Sequence, residues 1–313
     1  MNKIKAFFKL IRWSNLLMIA IMMLFVYYCL MYPMFQSGIV GAVPTSPAFT
    51  LLLISMIFIV AGGYVINDYF DVEIDKVNKA DKLIVSKIFS ENVTKFFYII
   101  LSFIGLAAGL ASSILILHSK FYLLFAILIL LACLLYSYSV NYKKKLIIGN
   151  LIVSLSVAFA VFLPWLFEML YLSNNALILY AVKDIIMSIL PYVLIYTAFA
   201  FLMTLIREIV KDAEDLKGDL LTHCRTIPIV LGVKKMNLIL AILTFLIWAI
   251  LLYYQLVLYY QHLYLALGVM LFIWISLPIL ITLLFNNNEV NYHRYSIFLK
   301  IIMLLGVLSM LFI

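Results

Sequence analysis

The sequence predicts an all-α, polytopic membrane protein with nine transmembrane helices and a cytoplasmic N-terminus. Three observations lead there. The 313-residue chain is 67% hydrophobic and only 12% charged, with a mean hydropathy of +1.18. A soluble domain carries about 25% charged residues, so this chain cannot clothe itself in polar side chains and most of its surface must face lipid. Second, it contains nine runs near the roughly 20 apolar residues that a membrane-spanning helix needs. Third, of its 22 Lys and Arg residues, only Lys120 and Lys183 fall outside one alternate set of loops and their flanks. By the positive-inside rule that set is cytoplasmic.

In chain order the expected spans are 14–32, 48–67, 96–117, 120–138, 147–170, 186–206, 237–257, 262–285 and 295–313. The basic start MNKIKAFFKLIRW precedes an apolar run too long for the core of a signal peptide and without a clear small-residue cleavage site, so it reads as a retained first span. Spans three and four are joined only by HSK, which requires a tight hairpin. The small residues AGGY at 61–64 and GLAAGLASS at 105–113 permit close helix packing. FLPW at 162–165 is expected to kink span five. No long soluble insertion interrupts the pattern, so residues 1–313 read as one membrane domain. The net charge of +8 is a topology signal. A nucleic-acid binder needs a basic patch on a soluble face, and no loop is long enough to build one.

The acids carry more information than the bases. Eleven of the 14 lie in two short stretches on the basic side: Asp68, Asp71, Glu73, Asp75, Asp81 and Glu91 after span two, and Glu208, Asp212, Glu214, Asp215 and Asp219 after span six. DYFDVEID and DAEDLKGD share the spacing D-x-x-D-x-x-x-D, so Asp68, Asp71 and Asp75 match Asp212, Asp215 and Asp219. If each helix continues past the lipid, residues at i, i+3 and i+7 share a face. Asn67 adds a neutral oxygen near it. Carboxylates crowded together repel and partly protonate; Mg²⁺, which takes one or two carboxylates plus phosphate oxygens and water, removes that problem. Two such faces on different helices suit metal ions sharing a diphosphate. The plain alternative is a solvated acidic helix end, and the repeated spacing at equivalent membrane boundaries weighs against it. Glu73 and Glu214 fall off the shared face and are expected to meet solvent or lysine. Gly218 is expected to end the second helix.

NDYFDVEIDKVNKADKLIVS and REIVKDAEDLKGD followed by CRTIPIVLG resemble the two signatures of the UbiA-type intramembrane prenyltransferases. IRWSNLL and YSYSVNYKKKLIIGN stand where that family has related stretches, and the resemblance covers nearly the whole length. One departure is KADKLIVS, where the family has Arg-Pro: Lys82 keeps the charge and Leu83 loses the proline turn. The resemblance implies nine helices around a central cavity, a prenyl diphosphate whose tail lies in an apolar tunnel, and Mg²⁺ held by Asn67, Asp68, Asp71, Asp75, Asp212, Asp215 and Asp219, with Asp71 and Asp215 catalytic. It implies diphosphate contacts from Arg12, Lys82, Lys143, Lys144, Arg207 and Tyr138, and further substrate contacts from Asn15 and Ser139. For Lys143–Lys145 a membrane anchor is the competing role, and for Arg207 an ion pair with Glu208 or Asp212.

The second signature most resembles the branch that prenylates a geranylgeranylglyceryl phosphate ether lipid, so that acceptor is favoured over an aromatic ring such as 4-hydroxybenzoate or dihydroxynaphthoate. A terpene cyclase could use the same aspartates. A divalent-cation transporter is disfavoured, because transporter sites lie near the midplane whereas these acids lie at span ends. The three cysteines make no paired framework and the four histidines lack metal-ligand spacing. Glu168 and Asp184, near the 5–6 loop, receive no role. The expected setting is the cell membrane with the active site facing the cytoplasm, and the sequence names no protein partner.

Overall fold

The structure, a computed structural model, describes residues 2–33, 46–78, 83–221, 224–285 and 290–313, with residues 77, 78 and 217 described by their backbone alone. Among the described residues nine helices are long and apolar enough to cross a membrane: Trp13–Met31, Ser46–Phe70, Glu91–Lys120, Tyr122–Tyr142, Ile148–Leu172, Lys183–Glu214, Val233–Tyr260, Tyr264–Phe285 and Tyr292–Phe312. They are spans one to nine. Apart from one isolated bridge between Val85 and Phe89, the described residues form no β-structure. The HSK join is a single 3₁₀ turn, His118–Lys120. Side chains such as Phe103 and Leu265, each 72% exposed, clothe the outside in hydrocarbon. This is an integral membrane protein.

Span six departs most from expectation. It runs to Glu214, well past the expected end at 206. Hydropathy reports where the apolar run stops; the helix continues through a polar stretch that contains no Pro or Gly until Gly218.

The chain divides into two compact units. The first comprises Met1–Met23, Met34–Lys143 and Leu163–Ile186. Here spans two and three approach closely. A Cβ on Gly105 would lie 2.9 Å from the Ile59 backbone nitrogen, and one on Gly109 would lie 2.6 Å from Ser55 Oγ. In lipid, helices associate through close van der Waals packing and occasional polar contacts rather than the hydrophobic effect. Ser112 Oγ supplies one, donating across to Ala48 O at 2.8 Å. Asn174 Nδ2 donates to Ile116 O at 2.6 Å, tying the end of span five to that of span three.

The second unit comprises Leu24–Pro33, Lys144–Phe162 and Met187–Ile313. Asn237 joins three spans, donating to Leu284 O at 3.1 Å and accepting from Tyr292 OH at 2.9 Å. Tyr196 shares a 2.7 Å hydrogen bond with Ser309. A Cβ on Gly306 would meet the Phe199 ring at 2.5 Å, so spans six and nine also pack at close range. Pro164 lies inside span five, and the division between the units falls beside it, between Phe162 and Leu163.

Candidate active site

The first acidic motif sits where span two leaves its apolar run. Span two ends at Phe70, and a short helix, Val72–Asn78, follows. The helical hydrogen bonds run through the join: Asp71 N donates to Asn67 O at 3.0 Å and Asp75 N to Asp71 O at 2.8 Å. Asn67, Asp71 and Asp75 therefore stack one turn apart, the arrangement the i, i+4, i+8 spacing predicts. Asp71 is only 4% exposed. Glu73 points away from the others and forms a 2.6 Å ion pair with Lys76.

Two cations converge on this carboxylate face within the first unit. Arg12 occupies the break between the helix Lys3–Leu10 and span one, with a left-handed φ of 50°. That conformation costs a non-glycine residue about 1–2 kcal/mol, and it is held in place by what the side chain touches. Arg12 Nη2 donates to Asp68 Oδ1 at 2.8 Å, and the guanidinium carbon lies 4.7 Å from the centre of the Tyr64 ring. Asn15 Nδ2 approaches the same Tyr64 hydroxyl at 3.3 Å. Lys143 follows directly on the π-helical turn Tyr138–Tyr142 that closes span four, and its ammonium donates to Asp71 Oδ2. Burial alone lowers the affinity of the Arg12 guanidinium for its proton. The charge of Asp68, with Tyr64 and Tyr138, outweighs that effect and holds Arg12 above its ordinary value. Lys143 behaves alike: burial pulls it down, Asp71 and Tyr138 more than compensate, and the neighbouring charge of Arg12 works against it.

Do these residues fit a metal ion? Asn67 is 6% exposed; its amide nitrogen donates to Asp71 Oδ2 at 2.7 Å, while its Oδ1 is buried with no hydrogen-bond partner among the described residues. A buried amide oxygen left unpaired is costly, and here it belongs to the side chain that is hydrogen-bonded to the Asp71 carboxylate. A hard oxygen-seeking cation such as Mg²⁺ suits that donor set, so the residues fit. Among the described residues no group of three His, Cys, Asp or Glu side chains is gathered closely enough to hold a metal by itself. Mg²⁺ does not require one, because it retains waters and takes substrate phosphate oxygens.

The second motif belongs to the second unit. Asp212 Oδ2 accepts from Asn150 Nδ2 at 2.8 Å. Arg207 pairs with Glu208 at 2.8 Å, the alternative its position allowed, and Lys211 reaches the other oxygen of Glu208 at 3.8 Å. Glu214 is exposed, as expected of a residue off the shared face; it lies 3.8 Å from His293 Nδ1 and its charge acts on Lys300. The expected helix end at Gly218 is wrong. The helix stops at Glu214, Asp215 forms the break, and Gly218 lies inside the next helix, Leu216–Leu221. Asp215 N still donates to Lys211 O at 2.9 Å and Asp219 N to Asp215 O at 3.1 Å, so the i, i+4 stacking survives the break and Asp219 is buried.

The remaining candidates are distributed unevenly. Tyr138 is half-buried near Arg12 and Lys143. Ser139 is buried and its hydroxyl donates to Leu135 O at 3.0 Å. Lys144 is exposed, and its carbonyl accepts from Arg225 N at 3.0 Å. Lys82 lies outside the described residues.

Comparison with known proteins bears on this arrangement. The profile of the UbiA prenyltransferase family matches residues 30–302. The chain belongs to that family. A digeranylgeranylglyceryl phosphate synthase from Saccharolobus solfataricus is 38% identical over 177 residues, a match spanning about half of each protein, 56% of this chain and 54% of the relative. A solved digeranylgeranylglyceryl phosphate synthase is 26% identical with a TM-score of 0.66 and covers 99% of this chain and 98% of its own. A UbiA homolog from Archaeoglobus fulgidus, bound to DMAPP and Mg²⁺, is 15% identical with a TM-score of 0.56 over 97% of this chain and 98% of its own, and so shares the fold.

Two partners of the motif residues carry no strong signal in the sequence. Asn150, the partner of Asp212, begins span five as a single amide in an apolar turn. Its signal was only its place at the end of YSYSVNYKKKLIIGN. Tyr64, under the Arg12 guanidinium, lies four residues before Asp68, so the spacing that groups the motif acids extends one turn back to it.

Proposed function

We propose that the protein transfers an isoprenyl group from a prenyl diphosphate to the hydroxyl of a geranylgeranylglyceryl phosphate-like ether lipid, with Mg²⁺, and that residues 1–313 act as one prenyltransferase domain. The observation that carries the reading is the juxtaposition of Asp68, Asp71 and the orphaned Asn67 Oδ1 with Arg12 and Lys143 at the end of a membrane span. Cations beside carboxylates on the rim of an apolar helix can bind a diphosphate while its tail stays in lipid. The shared name of the relatives supports the acceptor.

In this reading Asn67, Asp68, Asp71 and Asp75 on one unit, and Asp212, Asp215 and Asp219 on the other, present oxygens to divalent cations. Bound Mg²⁺ would stabilise the negative charge that develops on the departing diphosphate. Arg12 would grip phosphate oxygens through its planar fork, and Lys143 as a mobile point charge. Tyr138 and Asn15 flank those cations. The allylic C–O bond breaks with its electron pair leaving on diphosphate, the acceptor oxygen bonds to the allylic carbon, and its proton passes to the released diphosphate or a nearby carboxylate. The distribution of Lys and Arg supports placing the N-terminus and both motifs on the cytoplasmic side of the cell membrane.

Incubating the membrane-embedded protein with labelled prenyl diphosphates and a panel of acceptors, followed by mass spectrometry, tests this. A prenyl ether of geranylgeranylglyceryl phosphate is expected. Prenylated 4-hydroxybenzoate or dihydroxynaphthoate alone would overturn the acceptor, and a cyclised product formed without acceptor would overturn the transfer.

A further inference from the structure

Asp68 and Asp71 are both already neutralised by cations belonging to the chain. Arg12 holds Asp68 through a 2.8 Å hydrogen bond, Lys143 donates to Asp71, and Asn67 adds a second donor to the same Asp71 oxygen. The two cations lie close enough for the charge of Arg12 to act on Lys143. Among the described residues no three acids converge into a ready metal site. We infer that Arg12 and Lys143 are resident counter-ions of the first motif, and that Mg²⁺ occupies Asp68 and Asp71 only as a diphosphate draws these two side chains away from them. The inference rests on the Mg²⁺ and prenyl diphosphate reading of this site.

The physical argument is an exchange of ion pairs. A carboxylate engaged by an ammonium or guanidinium at hydrogen-bond distance offers a divalent cation less, and the resident positive charge repels the incoming one through a medium poorer in screening than water. Leaving Arg12 and Lys143 side by side without anions is equally unfavourable. A diphosphate solves both problems, since its oxygens take the two cations and the freed carboxylates take the metal. Lys143, on a flexible four-carbon stem, can swing from Asp71 to a phosphate. Asp212 differs in kind: its hydrogen-bond partner is the neutral amide of Asn150, Lys211 acts on it through charge alone, and among the described residues no cation forms an ion pair with that carboxylate. Metal binding at the first motif is therefore conditional on diphosphate, and by linkage each ligand raises the affinity for the other.

The test measures Mn²⁺ binding to the full chain in nanodiscs by electron paramagnetic resonance, with and without a non-reactive prenyl thiolodiphosphate. Asp212→Asn with Asp215→Asn serves as the background that silences the second motif. Lys143→Gln is expected to raise Mn²⁺ affinity without thiolodiphosphate by about 10-fold, within the usual range of coupling between sites, and to shrink the gain that thiolodiphosphate brings. Lys143→Arg, which keeps the cation, should behave like the parent. Arg12→Gln provides the same comparison at Asp68 should Lys143→Gln fail to fold. Unchanged or weaker Mn²⁺ binding in the folded Gln variants would overturn the counter-ion role while leaving the metal–diphosphate reading intact. No Mn²⁺ binding in the parent under either condition would remove that reading and the inference with it.

Discussion

Lys143 and Asp71 meet across 72 positions of sequence, and Asn67 donates to the same Asp71 oxygen at 2.7 Å. Burial opposes the charge on Lys143, but Asp71 outweighs it and the ammonium stays above its ordinary value. The sign follows from linkage. A lysine raised in the folded state contributes stability that is fully present below its unfolded value of about 10.4 and is lost as pH rises through the folded value. Lys143→Gln should cost about 1.5–3 kcal/mol, the range for a hydrogen bond to a charged group. The difference in melting temperature from the parent should be the same at about pH 6 and about pH 9. A difference that shrinks at the higher pH would mean that Lys143 loses its proton in that range.

Metal removal gives a second prediction. With EDTA in excess, prenyl transfer should vanish and return on adding Mg²⁺ or Mn²⁺. The fold should stay intact by circular dichroism, because in the absence of metal Asp68 and Asp71 already have partners in Arg12 and Lys143. Full turnover in chelator would sink the role assigned to both motifs.

The nine spans were legible because lipid imposes a crude rule, an unbroken apolar run of fixed length, and that rule survives single-sequence reading. The face shared by Asn67, Asp71 and Asp75 was legible from helical spacing alone. What escaped depends on tertiary contact. Nothing local to KKK says that Lys143 rather than Lys144 turns onto Asp71; the π-helical turn Tyr138–Tyr142 rotates the chain as it leaves span four and decides it. Nor does spacing reveal Asn150, which matters only because it begins one helix beside Asp212 on another. The break at Asp215 defied the stronger local signal of Gly218, since a helix tolerates an internal glycine at about 1 kcal/mol.

Asn150 should act as a positioning residue for Asp212. Residues that orient a metal ligand typically cost 10–100-fold in metal affinity when removed. Asn150→Ala is therefore expected to raise the Mg²⁺ concentration needed for half-maximal activity by about 10-fold more than it lowers the rate at saturating Mg²⁺. An unchanged Mg²⁺ dependence would reduce the 2.8 Å contact to helix packing.

Glu168 lies fully buried in span five, and neither carboxyl oxygen has a hydrogen-bond partner among the described residues. An ionisable group inside a membrane helix costs about 2.5–3.5 kcal/mol on insertion scales. If it has no task, an apolar side chain of similar length should be neutral or stabilising. Glu168→Met is thus expected to hold or raise the melting temperature while leaving transfer activity unchanged. A folded Glu168→Met protein without activity would show that this acid serves the reaction.

The acids of the two motifs provide the last prediction. Asp71→Asn and Asp215→Asn each preserve shape nearly atom for atom while removing a charge and a strong oxygen ligand for Mg²⁺. At position 71 the amide still accepts from Lys143 or Asn67 through its oxygen, so a folded, membrane-inserted protein should result. Its loss should fall on catalysis. By analogy with an oxyanion donor, removing one contact that stabilises a departing anion raises the barrier by about 3–4 kcal/mol, which is roughly 10²–10³-fold in rate. Glu73→Gln is the internal control, because Glu73 is 79% exposed, points away from the shared face and, among the described residues, pairs with Lys76 alone. An exposed pair of that kind contributes about 0–1 kcal/mol, so this variant should stay within a few-fold of the parent. Rates measured at saturating Mg²⁺ and prenyl diphosphate decide the matter. Deep losses at 71 and 215 beside a mild one at 73 are what a metal-bearing face requires, whereas equal and mild losses at all three would make both motifs ordinary solvated helix ends.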